Sequence, residues 1–381
     1  MWKRKKVEMQ NEVRAVRDAL YGIVEVQTVY HTRKDIFIKA SPYLTIDDWR
    51  EVISSRLSAL GHVVEFDQLD PSLPAGPVVL HIRKMGQAAE ERVPWTNIIL
   101  FLLTVITTLF VGTLMNQVNP VRHPHLIYKG ASFAVPLLLI LIFHEFGHYL
   151  VSKKAGIKVS LPYFIPGPTL FGTFGAVIRS KSPFKSRRDL LGVGAAGPIA
   201  GFIVSVIVLI GGLAHSQTVD ASSLDMQISG HSVTFVVREF SGSVLIVGQS
   251  LVFKFLAWFS LAHVAQGHIV QLSPAAFAGW AGILVTMLNL LPIGQLDGGH
   301  IMYALLGRNQ RKVALVATFA LIPLGYFLWF GWFVWVVLVL LIKVGHPPTL
   351  DDQVSLDAKR KVIGWLAMLI FILSFTPVPI K

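Results

Sequence analysis

The chain has 381 residues, of which 53% are hydrophobic and only 15% charged; soluble domains carry about 25% charged residues, so an ordinary soluble architecture is excluded. The 34 Lys and Arg against 22 Asp and Glu give a formal charge of +12, but the positive residues stand in short segments beside apolar runs, where they set membrane orientation. They do not build the basic, aromatic-studded surface that a nucleic-acid partner requires, and the absence of cysteine rules out disulfides and thiolate metal ligands.

Residues 1–94 predict a small water-soluble α+β domain, cytosolic by its flanking charge. Segments 23–30 and 35–40 alternate as strands around a polar turn at 31–34. Thr45 is expected to cap a helix, with Asp48 three residues on in a capping-box-like pairing. Ile46, Trp49, Ile53, Leu57 and Leu60 make one apolar face of that helix. Short strands are expected near 63–66 and 78–82, around a loop at 70–74. No catalytic constellation is visible here, and the domain reads as a cytosolic appendage or dimerisation unit. No signal peptide is expected, because the first apolar run starts near Asn97.

Seven apolar segments follow, at 97–116, 131–153, 190–213, 275–296, 312–328, 330–344 and 361–376. A run of about 20 apolar residues crosses a bilayer. Residues 95–381 therefore predict a mainly α, polytopic helical membrane domain of about seven spans. Segment 249–265 holds Lys254 among aromatics and predicts an interfacial helix. Basic residues at 83–92, 153–188, 308–312 and 343–361 all fall on one side of a seven-span arrangement. The positive-inside rule makes that side cytosolic. The chain is thus expected to be a multi-pass protein surrounded by lipid in the cell (inner) membrane.

The second apolar segment carries His144, Glu145 and His148. Residues four apart share a helical face, about 6 Å apart along the axis. Two imidazoles so placed can share one tetrahedral metal, while Glu145 reaches the fourth position and can take a proton there. A charged residue at mid-bilayer costs about 2.5–3.5 kcal/mol, which calls for a function. Two other readings of the cluster are histidines hydrogen-bonded beside a paired glutamate, and a proton or ion pathway. Two histidines leave a third ligand to be found. Asp297 is the candidate: Pro292 breaks the helix before it, and Gly298 and Gly299 free the backbone after it. The seven-span topology brings Asp297 and His148 to a similar depth, nearer the cytosol. His300 stands behind it as a substitute ligand.

The pair HEFGH and NLLPIGQLDGGH resembles the site-2 protease family of intramembrane metalloproteases, over about residues 130–305. Asn289, Pro292, Asp297 and Gly298 match that family's Asn-x-x-Pro-x-x-x-x-Asp-Gly signature. The resemblance implies one zinc ion per chain, held by His144, His148 and Asp297, with Glu145 as general base. It implies that Asn289 holds the substrate carbonyl or orders the site; bonding to neighbouring backbone is the plainer reading of that residue. It further implies substrates that are transmembrane proteins, cut in regulated intramembrane proteolysis. Gly194, Gly197, Pro198 and Gly201 match the family's small-residue segment and are expected to allow close helix approach. The loop at 214–248 is shorter than the 50 or so residues a domain needs. The resemblance is therefore to the branch that lacks a PDZ domain, found also in cyanobacteria and plastids.

Residues 157–182 are apolar, yet Pro162, Pro166, Gly167, Pro168, Gly172 and Gly175 forbid a continuous helix. A membrane-embedded hairpin is expected, with a free strand edge that pairs with an extended substrate; a re-entrant loop capping the bundle is the alternative. Two rival functions use the same residues. An ion- or proton-coupled transporter would show internal repeats, and none is visible. An inactive protease-like scaffold would not need Glu145. Oligomeric state is left open.

Overall fold

The computed structural model describes residues 2–32, 35–43, 48–68, 76–85, 94–219, 233–238, 240–261, 268–342 and 344–381. It divides into two compact units. The first comprises residues 1–93 together with 180–186 and 348–354; the second comprises 94–179, 187–347 and 355–381.

In the first unit, α1 (Trp2–Leu20) precedes β1 (Val24–His31), β2 (Asp35–Pro42), α2 (Trp49–Ala59), β3 (His62–Gln68) and β4 (Val78–Lys84). The strands form an antiparallel sheet in the order β1-β2-β4-β3. The α1 helix was not expected, because charged residues interrupt its apolar positions. The α2 helix starts at Trp49 with Asp48 at its N-cap, so Asp48 is not three residues inside the helix; that is one turn later than the capping-box expectation. Thr45, Ile46 and the loop at 70–74 lie outside the described residues.

The central strands are buried almost without a break because both faces of the sheet are covered. Ile36, Ile38, Ala40, Val78, Leu80 and Ile82 pack beneath Val16 and Leu20 of α1 and Ile53 and Leu57 of α2. The period of two turns the residues between them to the other face. There Phe37 and Val79 meet Leu350, and Lys39 pairs with Asp351 at 3.0 Å with side chains only 8% and 10% exposed. Removing one partner of so buried a pair strands the other charge, at a cost of about 3–5 kcal/mol. Segment 348–354 also pairs with 180–186: Leu350 N–H donates to the Phe184 carbonyl (3.0 Å) and Asp351 N–H to that of Lys185 (2.8 Å). Glu12 lies within 3.0 Å of His62 and 2.9 Å of Lys84. Burial opposes its charge, but these two partners hold the carboxyl below its usual range.

The second unit opens with α3 (Trp95–Met115), a 3₁₀ turn (Pro124–Gly130) that runs into α4 (Ala131–Lys154), then β5 (Tyr163–Pro166), β6 (Thr173–Val177) and α5 (Arg187–Leu213). Among the described residues, three helical stretches are long and apolar enough to cross a membrane: Trp95–Met115, Pro124–Lys154 and Arg187–Leu213. Next come β7 (Gln217–Val219), β8 (Thr234–Arg238), β9 (Val244–Ile246), α6 (Leu251–Ser260) and β10 (Ile269–Gln271). These strands form a small mixed sheet, β7-β10-β8-β9; β7, β8 and β9 lie in the segment 214–248 expected to be a loop, and β10 lies beyond it. The α6 helix lies in the segment expected to be interfacial. Its Leu251, Phe255, Trp258 and Phe259 are exposed, while Phe253, Leu256 and Ala257 are buried.

The remaining helices are α7 (Pro274–Asn289), α8 (Asp297–Leu306), α9 (Gln310–Phe327), α10 (Trp332–Ile342) and α11 (Ala358–Ser374). The apolar segment at 275–296 is thus not one helix. The α7 helix stops at Asn289, and irregular backbone leads to a new helix at Asp297. Helices α4, α5 and α7 pack closely because glycines face backbone. A Cβ at Gly147 would stand 2.6 Å from the Ala196 carbonyl oxygen, and one at Gly279 would stand 2.6 Å from the Leu209 nitrogen.

Candidate metal centre

His144, Glu145 and His148 project from the middle of α4, all buried. Asp297 is the first residue of α8, where the chain resumes a helix after the break at 290–296. Three of the residues expected to bind metal therefore come together. His144 Nε2 lies 3.2 Å from His148 Nε2. Asp297 Oδ2 lies 3.4 Å from the first and 3.3 Å from the second. Ligands about 2.0–2.1 Å from a tetrahedral zinc ion stand about 3.3 Å from one another. The three atoms therefore already form one face of that tetrahedron, and a nitrogen, nitrogen, oxygen set suits zinc.

The second shell fixes this face. His148 donates its Nδ1–H to the Val193 carbonyl at 2.7 Å, which leaves the Nε2 lone pair turned inward. Two glycines of α5 make room for the rings. A Cβ at Gly197 would overlap the His148 imidazole, and one at Gly201 would stand 3.0 Å from His144 Nδ1. The small-residue segment of α5 is thus a cradle for two imidazoles as well as a packing surface. Gly197→Ala should push the His148 ring out of the triangle and, where that triangle holds zinc, weaken zinc binding about 10–100-fold. A zinc titration of the purified chain checks this, and unchanged affinity would count against the cradle.

Glu145, one residue from His144, stays outside the triangle and accepts a hydrogen bond from the Ile178 backbone N–H, just beyond β6. Asn289, the last residue of α7, brings its Nδ2 to 3.3 Å from His144 Nε2. A cavity of about 60 Å³ joins His144, Glu145 and Asn289 to Gly175 and Ala176 of β6 and Thr286 of α7. It has room for a few water molecules beside the metal face. His300 stands apart from the cluster, its Nδ1 at 2.7 Å from His346 Nε2. Val193 and Ile178 act through backbone atoms, and no side-chain signal marks them in the sequence.

The sequence model of peptidase family M50 matches residues 132–331, just over half of the chain. The Arabidopsis thaliana protein named probable zinc metalloprotease EGY1, chloroplastic, is 31% identical over 94% of this chain and 66% of its own length. Its Arabidopsis relative EGY2, of the same description, is 32% identical over 67% of this chain and 43% of its own length. The EGY1 protein of Oryza sativa subsp. japonica is 28% identical over 80% of this chain and 53% of its own. The chain thus spans less than two-thirds of the length of these relatives. No solved structure matches it. With both motifs inside the matched stretch, the chain belongs to peptidase family M50, the site-2 protease family.

Proposed function

We propose that the chain is an intramembrane zinc metalloprotease that hydrolyses peptide bonds of transmembrane proteins. The near-equilateral triangle of His144, His148 and Asp297 ligand atoms, with Glu145 on the cavity beside it, carries this reading. Zinc held there supplies a Lewis acid that polarises the scissile carbonyl and acidifies water. Glu145 accepts the proton of the attacking water and returns it to the leaving amine nitrogen. The Ile178 N–H keeps that carboxylate aimed into the cavity. Asn289 offers an amide N–H on the wall of the cavity, where the carbonyl oxygen of the tetrahedral intermediate gathers charge. One zinc per chain is expected on metal analysis. Zinc retained by the His144→Ala/His148→Ala chain would refute the ligand assignment.

A substrate helix hides its backbone in i→i−4 hydrogen bonds and must unwind locally before hydrolysis. Substrates with helix-breaking residues near the cleavage point fit that requirement, and the edge of β6 offers the released backbone a partner. Backbone parity supports this use of the hairpin. Arg179 N–H donates to Ser160 Oγ, and Ser160 N–H to the Arg179 carbonyl, both on the β5 side. The Ile178 N–H goes the other way, to Glu145. Successive N–H groups of a strand alternate between its edges. Ala176 therefore shares the Ile178 edge, facing the cavity.

In this reading residues 1–94 form a cytosolic domain and 95–381 a membrane-embedded protease of about seven spans in an inner membrane, its centre nearer the cytosolic face. The sequence contains no cysteine, so single cysteines introduced at Ser180 and Ser241 should label from opposite sides of the bilayer. Labelling from the same side would mean that α5 does not cross.

A further inference from the structure

Asp297 opens α8 directly after the irregular backbone at 290–296. Leu296 occupies the N-cap position of α8 and gives no side-chain cap, whereas Ser250 and Ser273 cap α6 and α7 through their hydroxyls. The preceding backbone turns through Gly294, whose φ is +58°, a conformation that favours glycine. The third ligand must nonetheless stand in register with two histidines on another helix.

The loop after α10 meets both this turn and the first turn of α8. Gly294 donates its N–H to the Val344 carbonyl at 3.0 Å. His346 donates its backbone N–H to Gln310 Oε1, at 3.3 Å, at the start of α9. Its Nδ1 faces the Pro347 carbonyl, which can only accept, so Nδ1 carries the proton and Nε2 the lone pair. That Nε2 receives the His300 Nδ1–H at 2.7 Å. His300 lies one helical turn from Asp297, on the first turn of the same helix. Its ring also packs edge-on against His346, with centroids 4.7 Å apart. The bond thus braces the α8 end from which Asp297 projects.

We propose that His346 is a positioning residue for the metal centre: through His300 and the Gly294 turn, the 344–346 loop holds Asp297 on the metal face. The inference rests on the reading of His144, His148 and Asp297 as zinc ligands. Its test uses the full chain in detergent, with zinc affinity measured by competition with a chelator. His346→Leu keeps bulk but removes the acceptor. His346→Gln offers an amide oxygen close to where Nε2 stood. Outer-sphere partners are worth about 10–100-fold in metal affinity, so His346→Leu should raise the zinc dissociation constant at least ~10-fold and His346→Gln by no more than about threefold. The zinc-free forms of both variants should melt with the zinc-free wild type. Hydrogen exchange at 290–299 should quicken in His346→Leu alone. Wild-type affinity in His346→Leu would overturn the proposal, as would an equal loss in His346→Gln. A lower melting point of the zinc-free His346→Leu chain would also overturn it, since His346 would then support the fold at large. A wild-type chain that binds no zinc would overturn the reading of the centre itself.

Discussion

Replacing Glu145 by Gln is expected to leave zinc bound and to slow peptide hydrolysis by about 10²- to 10⁴-fold, the usual weight of a positioned proton acceptor. Glutamine has the shape of glutamate, and its amide oxygen can still accept from the Ile178 N–H. The cavity wall should therefore keep its form. None of the three converging ligand atoms belongs to Glu145, so metal content should stay at that of wild type. What the amide cannot do is take a proton from water. Cleavage of a single-pass membrane protein in liposomes, run beside metal analysis, separates the two functions. Near-normal cleavage by Glu145→Gln would remove Glu145 from the role of base. Loss of zinc together with cleavage would make it a ligand instead.

Much of this centre was legible because its parts are side chains at fixed spacing on regular elements. His144 and His148 are one turn apart on an apolar helix, and the periodicity alone places them on a common face. Asp297 was legible for the opposite reason: proline and glycine mark a break in a helix, and breaks inside membrane domains line sites. The extent of the break was not legible. Leu290, Leu291 and Ile293 are as apolar as any helical residue, yet they lie in irregular backbone buried within the protein. The backbone partners Val193 and Ile178 could not be foreseen, since any residue offers the same carbonyl and N–H. The cover of the first unit's sheet was hidden too. Leu350 and Asp351 lie about 300 residues from Phe37 and Lys39, and no local pattern links them. The mixed sheet escaped notice because β7, β9 and β10 have three residues each, too few for an alternation to register.

A proline at Ala176 is expected to cripple cleavage while sparing zinc. Ala176 is half-buried, lies opposite Phe164 in the hairpin, and borders the cavity that holds Glu145. By parity its N–H and carbonyl face away from β5, so the proline leaves the pairing of Val177 with Tyr163 in place. It contacts no metal ligand through a hydrogen bond. A substrate strand laid against this edge would lose the Ala176 bond and, because the proline ring crowds the edge, one or two neighbours. At about 1 kcal/mol for each bond, kcat/KM should fall by roughly 10²-fold. Proline at Val177 is a poorer probe, because it breaks the hairpin itself. Proline at Ile178 strips the hydrogen bond from Glu145 and so confuses binding with catalysis. Ala176→Ser keeps the N–H and should cleave like wild type. If Ala176→Pro folds, holds one zinc and cleaves at the wild-type rate, the substrate does not pair with β6, and the hairpin serves as a cap over the bundle. If Ala176→Ser falls as far as Ala176→Pro, the side chain and not the backbone edge is what the substrate meets.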